Sequence, residues 1–301
     1  MTVGVLGLGT MGTPMAWNLH DAGLLGAVHN RTRSKTDPFV AAGVPASETS
    51  AGLARRVDVS LLMVTDDEAL TDVLDGPDGV LHGVDDGRIV VNASTVSIEA
   101  TKRAASAVDA AGGRFVDAPV SGTVGPAEDG TLTVLAAGAD DDLNAVAPVL
   151  NAVGDPVVRC GAVGDGTRTK LFVNLLLGNL LQGYAEALVF GRKQGLSFEF
   201  MQDILERSPM HADLLDYKGS ALEDRDFTKQ FPVDLLLKDL NLITEAAQEA
   251  GVYLPQTAAT REAVGGASAQ GHGDEDMIAV IKLLEAVADV TVEPEASADG
   301  S

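Results

Sequence analysis

Residues 3–12, VGVLGLGTMG, decide the fold. VGVLG (3–7) is a short apolar run that reads as a strand, and a helical pattern from about Thr10 to Ala22 follows it directly. At the joint Gly7, Gly9 and Gly12 keep the spacing G-x-G-x-x-G. Each glycine has a physical reason. Gly7 permits the tight strand-to-helix turn, Gly9 lets backbone approach a diphosphate, and Gly12 lets helix and strand pack closely. The diphosphate would lie over the N–H groups at the positive end of the helix dipole. The bland alternative is a glycine-rich turn without function. It is weakened because the motif follows a strand, opens a helix and begins a βαβ unit.

Outward from that turn, apolar runs alternate with helical segments, the pattern of a doubly wound, mostly parallel α/β sheet of Rossmann type. Strands are expected at 26–30, 58–64, 88–94, 114–120, 131–138 and 156–160, with helices at 50–56, 66–75, 97–111 and 140–152. After the glycine-rich joint at 161–166 nothing reads as a strand. Helical patterns follow at about 167–194, 198–206, 211–222, 233–250, 255–265 and 274–289, so an all-α domain is expected. The expected division is 1–162 for the dinucleotide-binding domain and 163–292 for the helical domain. An acidic tail at 293–301 lacks apolar anchors and is expected to be disordered.

The end of the second strand bears on which dinucleotide binds. NAD-binding folds usually place Asp or Glu there for the ribose 2′-hydroxyl. This chain has Asn30, Arg31, Thr32, Arg33 and Lys35. A guanidinium beside a hydroxyl suits a 2′-phosphate, so NADP is expected, with NAD possible as a weaker fit. A solvated basic loop is the alternative, but cations are scarce in this chain, with 21 Lys and Arg against 44 Asp and Glu.

That balance gives a formal charge of −23, which repels phosphate backbones and argues against nucleic acid. A merely acidic enzyme or a salt-adapted, halophilic one would both fit, and the eight lysines favour the second. A single cysteine, Cys160, fits a reducing cytoplasm. The chain opens directly as a strand without a signal peptide, and Asn174, Asn179, Gln182 and Glu186 interrupt the apolar stretch 171–190, which argues against a membrane span. The five histidines show no metal-ligand spacing, so no metal is expected.

Three further segments carry candidate chemistry. Ser121, Gly122 and Thr123, with Val124 and Gly125, form a hydroxyl-rich loop whose N–H groups suit a carboxylate, or form an ordinary turn. Lys170 and Asn174, four residues apart on one helix face, sit among Leu171, Phe172, Val173 and Leu175. A partly desolvated lysine there has its pKa lowered toward the range useful for proton transfer; a snorkelling lysine is the plain alternative. Lys238 and Asp239 follow Phe231-Pro232 on the next expected helix, where a surface ion pair is the commoner reading.

Together GLGTMGTPMAWNL (7–19), DAPVSGTVGPAEDGTLTV (117–134), GDGTRTKLFVN (164–174) and KDL (238–240) resemble the motifs of the β-hydroxyacid dehydrogenase family, in order and over nearly the whole chain. The resemblance implies an NADP(H)-dependent oxidoreductase acting on a small carboxylate of the 3-hydroxyisobutyrate, glyoxylate or succinic semialdehyde type. Lys170 would be the catalytic acid/base. Ser121, Gly122, Thr123, Asn174 and Phe231 would contact substrate. Gly7, Leu8, Gly9, Thr10, Met11, Gly12, Asn30, Arg31, Thr32, Val64, Thr65, Thr95, Lys238 and Asp239 would surround the cofactor. A homodimer or homotetramer packed through the long helix is implied as well. Thr123 stands where the family usually has glycine, Ile98 where proline is common and Leu175 where a second asparagine is common, so the substrate is the open point. An imine reductase, or a non-catalytic cofactor-binding scaffold on the same fold, are the alternatives; both would be expected to lack Lys170.

Overall fold

The computed structural model describes residues 1–295; of the acidic tail, 293–295 carry no helix or strand and 296–301 lie outside the described residues. The chain divides into two compact units, Met1–Phe172 and Val173 onward. The expected boundary after residue 162 precedes a long helix, whereas this division falls inside it.

In the first unit β1 (Val3–Leu6), α1 (Gly12–Asp21) and β2 (Leu25–His29) form the opening βαβ turn, followed by α2 (Asp37–Ala41), α3 (Ser50–Ala54), β3 (Val59–Leu62), α4 (Asp67–Asp75), β4 (Ile89–Asn92) and α5 (Ile98–Ala110). Then come β5 (Arg114–Asp117), β6 (Val120–Ser121), α6 (Val124–Glu128), β7 (Thr133–Ala137), α7 (Asp140–Val153), β8 (Val157–Gly161) and the start of α8 (Asp165–Lys193). The sheet order is β2-β1-β3-β4-β5-β7-β6, with β8 paired to β7. Strands β1 to β5 are parallel, and β7 runs antiparallel to β5 and β6. Ala46 adds one parallel bridge to Val28 beyond β2, all that stands for a further strand there. Strand order therefore reverses between β1 and β3, and ligands of such sheets bind outside the carboxyl ends of the strands at that point.

β1, β3 and β4 are buried along their whole length. Val3, Val5, Leu61 and Val91 pack on one face with Met15, Leu19 and Val146, while Leu6, Leu62 and Val90 pack on the other with Leu70 and Ala104. Burial on both faces is why these segments read as continuous apolar runs.

In this unit two expectations need correction. The strand expected over 114–120 is broken into β5 and β6, because Pro119 has no N–H to keep a ladder going. Of the loop expected at 121–125, Gly122 and Thr123 do connect two elements, whereas Ser121 ends β6 and Val124 and Gly125 begin α6. A 3-10 turn at Arg33–Thr36 leading into α2 was not legible either; its residues, RSKTDPFVA, carry too little periodicity.

The second unit is helical: the rest of α8, then α9 (Phe198–Glu206), α10 (Asp213–Glu223), α11 (Val233–Glu249), α12 (Pro255–Ala267) and α13 (Val280–Ala288). The helix expected over 274–289 is instead a 3-10 turn, Met277–Ala279, capped by Asp276 and continued as α13. Among the described residues no helix is long and apolar enough to cross a membrane.

Candidate active site

The glycine turn shows two kinds of glycine. A Cβ on Gly12 would stand 1.9 Å from the Gly7 carbonyl oxygen, and one on Gly7, whose φ is +99°, would stand 2.1 Å from that of Met63. The protein's own packing requires both. A Cβ on Gly9 would meet nothing within 4 Å. Open space over a backbone bend, at the start of a helix whose N-terminus has no side-chain cap, fits an anionic diphosphate. Asn30 steadies the turn from β2: its Oδ1 accepts from the Leu8 N–H at 2.8 Å and its Nδ2 donates to the Thr32 carbonyl at 2.9 Å. Both ends of that amide are engaged by main chain.

A cavity of about 370 Å³ opens beside that strand end, lined by residues including Asn30, Arg31, Arg33, Ser47, Glu48 and Asp72. Arg31 is exposed, and Arg33 forms an exposed ion pair with Glu48 at 3.6 Å. Thr10 and Thr32 are exposed; Met11 is half-buried. Glu48 and Asp72 were not singled out from sequence, since an acidic residue is unremarkable in a chain with 44 of them. The cavity thus carries two guanidiniums, one of them paired with Glu48, and its lining includes two carboxylates, Glu48 and Asp72.

At the switch point the loops after β3 and β4 are tied together. The Val64 N–H donates to Ser94 Oγ at 2.8 Å, and Asp67 accepts from both the N–H and the hydroxyl of Ser97, at 2.8 and 2.6 Å. These bonds fix the loops bearing half-buried Val64, exposed Thr65 and half-buried Thr95.

Next along the sheet, Ser121 ends β6 and Gly122 turns the chain at φ +141°, where a Cβ would strike Leu132 at 2.7 Å. Thr123 precedes α6, and its hydroxyl does not cap that helix, which leaves it available to a ligand.

Lys170 lies on the second turn of α8 and is only 8% exposed. The start of that helix is held by Asp117, a fully buried residue at the end of β5 that was not marked from sequence as functional. Asp117 Oδ2 accepts from the N–H groups of Gly164 and Thr167 at 3.0 and 2.9 Å, and Oδ1 accepts from the Thr167 hydroxyl at 2.9 Å. Burial pushes its carboxyl above the ordinary range despite these donors, which pull it down.

In the second unit Asn174, on α8, donates from Nδ2 to Asp239 Oδ2 at 2.6 Å, and Lys238 Nζ stands 3.0 Å from Asp239 Oδ1. Asp239 is buried, so this is more than a surface pair. The Asn174 Oδ1 is buried with no hydrogen-bond partner among the described residues, and a ligand hydroxyl would satisfy it. Half-buried Phe231 is clamped by Asp276, which accepts its N–H at 3.2 Å and pairs with buried Lys218 at 2.7 and 2.9 Å. Burial lowers the Lys218 ammonium pKa and Asp276 opposes that shift.

Histidine spacing gave no metal site. In space His211 does approach Asp213 and Asp216, at 4.0 and 3.6 Å, and one ligand atom of each of these exposed residues lies within 4.8 Å of the others.

Residues 2–164 match the family described as the NAD binding domain of 6-phosphogluconate dehydrogenase. Residues 164–284 match the one described as NAD-binding of NADP-dependent 3-hydroxyisobutyrate dehydrogenase. The chain is 35% identical to glyoxylate/succinic semialdehyde reductase 1 of Arabidopsis thaliana, over 95% of this chain and 99% of that protein. It is 36% identical to 2-(hydroxymethyl)glutarate dehydrogenase of Eubacterium barkeri, over 96% and 97%. Among solved structures, 3-hydroxyisobutyrate dehydrogenase from Salmonella typhimurium matches with a TM-score of 0.85 at 30% identity, over 94% of this chain and 99% of that one.

Proposed function

The chain belongs to the NAD(P)-dependent hydroxyacid dehydrogenase family, and from that premise we propose that it reduces a small aldehyde acid with NADPH, Lys170 serving as the acid. The observation that carries the reading is a lysine 8% exposed, one turn into a helix anchored in the same compact unit as the glycine turn.

NADPH, when bound, supplies hydride from C4 of its nicotinamide to the carbonyl carbon. The chain's part is to hold, orient and protonate. The N-terminus of α1 and the open backbone at Gly9 receive the diphosphate, and Arg31 with Arg33 receive the 2′-phosphate. Val64, Thr65 and Thr95 would border the nicotinamide. Ser121, Gly122 and Thr123 donate to the substrate carboxylate, so a neutral donor set rather than an arginine recognises it. As the carbonyl oxygen gains charge, the Lys170 ammonium gives it a proton. In the oxidising direction the neutral amine takes the proton of the hydroxyl. Within the second unit, Asp239 and Lys238 hold Asn174 in place, its vacant acceptor suits a substrate hydroxyl, and Phe231 offers an apolar contact.

The names of the relatives favour glyoxylate or succinic semialdehyde, and Thr123 narrows the carboxylate pocket toward a small substrate. We also infer a cytoplasmic homo-oligomer: α8 leaves Leu176, Gly183 and Phe190 exposed at every seventh residue, an apolar stripe that association would cover. A monomeric mass by light scattering would remove that part.

The test is NADPH oxidation at high salt with glyoxylate, succinic semialdehyde, methylmalonate semialdehyde and tartronate semialdehyde, repeated with Lys170→Ala. Lys170→Ala should lose roughly 10²–10⁴-fold in kcat while NADPH still binds, the range for a lost acid–base group. Retention of more than about a tenth of the rate removes Lys170 from its role.

A further inference from the structure

The α8 helix begins at Asp165, and the residue before it, Gly164, has no side chain with which to cap the first N–H groups. Helices usually solve this with a neighbouring Ser, Thr or Asp. Here the cap comes from across the sheet. Asp117 at the end of β5 takes the Gly164 and Thr167 N–H groups on one oxygen and the Thr167 hydroxyl on the other. The Thr167 oxygen also lies 2.9 Å from the Thr101 hydroxyl of α5. The helix start sits against strand ends as well: a Cβ on Gly166 would stand 2.5 Å from the Leu135 carbonyl oxygen and 2.9 Å from that of Asp117. One turn of α8 is therefore fixed in position along its axis, by the capped N–H groups, and in rotation about it, by Thr167.

Lys170 follows Thr167 by three residues, one turn further and on the same side of the helix. It is within the unit that carries the glycine turn, whereas Asn174 belongs to the second unit. We infer that Asp117 and Thr167 are positioning residues for the proposed reaction: a clamp inside the cofactor-binding unit that sets the place of the helix turn bearing Lys170. The inference rests on the assignment of Lys170 as the acid. Its consequence is large because rate depends steeply on placement, about 10²-fold for a displacement near 1 Å. A clamp of this kind is also demanding to build. A buried carboxylate is tolerable only while its donors are in place, so losing one donor disturbs the others.

The test uses full-length protein with Thr167→Val, Thr167→Ser and Asp117→Asn. Valine keeps the shape of threonine but removes the hydroxyl from both Asp117 and Thr101; serine keeps it. Thr167→Val and Asp117→Asn should lower kcat about 10- to 100-fold, while the NADPH dissociation constant, read by fluorescence, stays within about threefold. Thr167→Ser should keep at least about a third of the wild-type rate, as serine keeps the hydroxyl that Asp117 accepts. Amide hydrogen exchange in 163–172 should quicken in Thr167→Val, with the glycine turn unchanged. Should Asp117→Asn fail to fold, the two Thr167 variants still decide. Wild-type kcat in Thr167→Val overturns the clamp, as does loss of NADPH binding in step with turnover, which marks a general structural defect. Failure of the Lys170 assignment is separate: it shows as an active Lys170→Ala, whatever the Thr167 variants do.

Discussion

The three glycines of the opening turn should fail in two different ways when replaced by alanine. At Gly12 the new methyl would lie 1.9 Å from the Gly7 carbonyl oxygen, and at Gly7 2.1 Å from that of Met63. Both obstacles are backbone, which cannot swing aside as a side chain can. Forcing atoms into a packed interior costs about 1–3 kcal/mol. Gly7 adds about 1–2 kcal/mol more for a left-handed residue with a Cβ, its φ being +99°. A loss of roughly 2–5 kcal/mol follows for Gly7→Ala and about 1–3 for Gly12→Ala, which for a unit of this size lowers Tm by about 2–20 °C. Gly9→Ala meets nothing within 4 Å, so stability should hold, or rise by about 0.4–1 kcal/mol as the unfolded chain loses freedom. Its methyl would instead stand where the diphosphate approaches. Losing one or two charge-assisted N–H bonds, at about 1.5–3 kcal/mol each, weakens NADPH by about 10- to 100-fold or more. Thermal melts and NADPH fluorescence titrations on the three variants separate the effects. If Gly9→Ala binds NADPH like the wild type, or melts as early as Gly12→Ala, the division between packing glycine and ligand glycine is wrong.

Arg31→Ala should weaken NADPH about 5- to 30-fold and leave NADH nearly unchanged, since a single exposed guanidinium contact is lost; Glu48→Gln, which frees Arg33, should tighten NADPH by about two- to threefold. Equal effects on both dinucleotides in titrations would end the 2′-phosphate argument. Lys218→Met leaves the Asp276 carboxylate buried without its partner and should cost about 3–5 kcal/mol in urea unfolding, with Phe231 loosened; a loss below about 1 kcal/mol would mean the pair is not what holds that corner. With a net charge of −23, melting temperature and turnover should rise with KCl toward molar concentrations, as screening relieves carboxylate repulsion. Equal stability in millimolar and molar salt refutes the salt-adapted reading.

Much of the sheet was legible because its strands are buried on both faces and so stand out as apolar runs between helical segments: β1, β2, β3 and β4 each lie within a residue or two of expectation. The misreadings have local causes. Pro119 ended a run that hydropathy alone continued, and the segment 33–41 folds with too few apolar positions to show a period. Gly7, Gly9, Gly12, Arg31 and Lys170 stood out as candidates in the sequence because their residue types are uncommon in such settings and sit at motif spacing. Asp117 did not, because what makes it special is what it faces, and its partners lie 47 and 50 residues away. Glu48 and Asp72 were hidden by abundance.

Sequence alone determined the order of elements, the dinucleotide turn and the family's motifs, since periodicity and backbone conformation are local properties written residue by residue. Only the tertiary structure decided which unit carries Lys170, what holds its helix start, that Asn174 leans on Asp239 with its own acceptor vacant, and which of the opening glycines packing requires and which faces open space. Those facts depend on distances between segments far apart in the chain. A hydrogen bond or a steric limit exists only once folding has brought its two sides within a few ångströms.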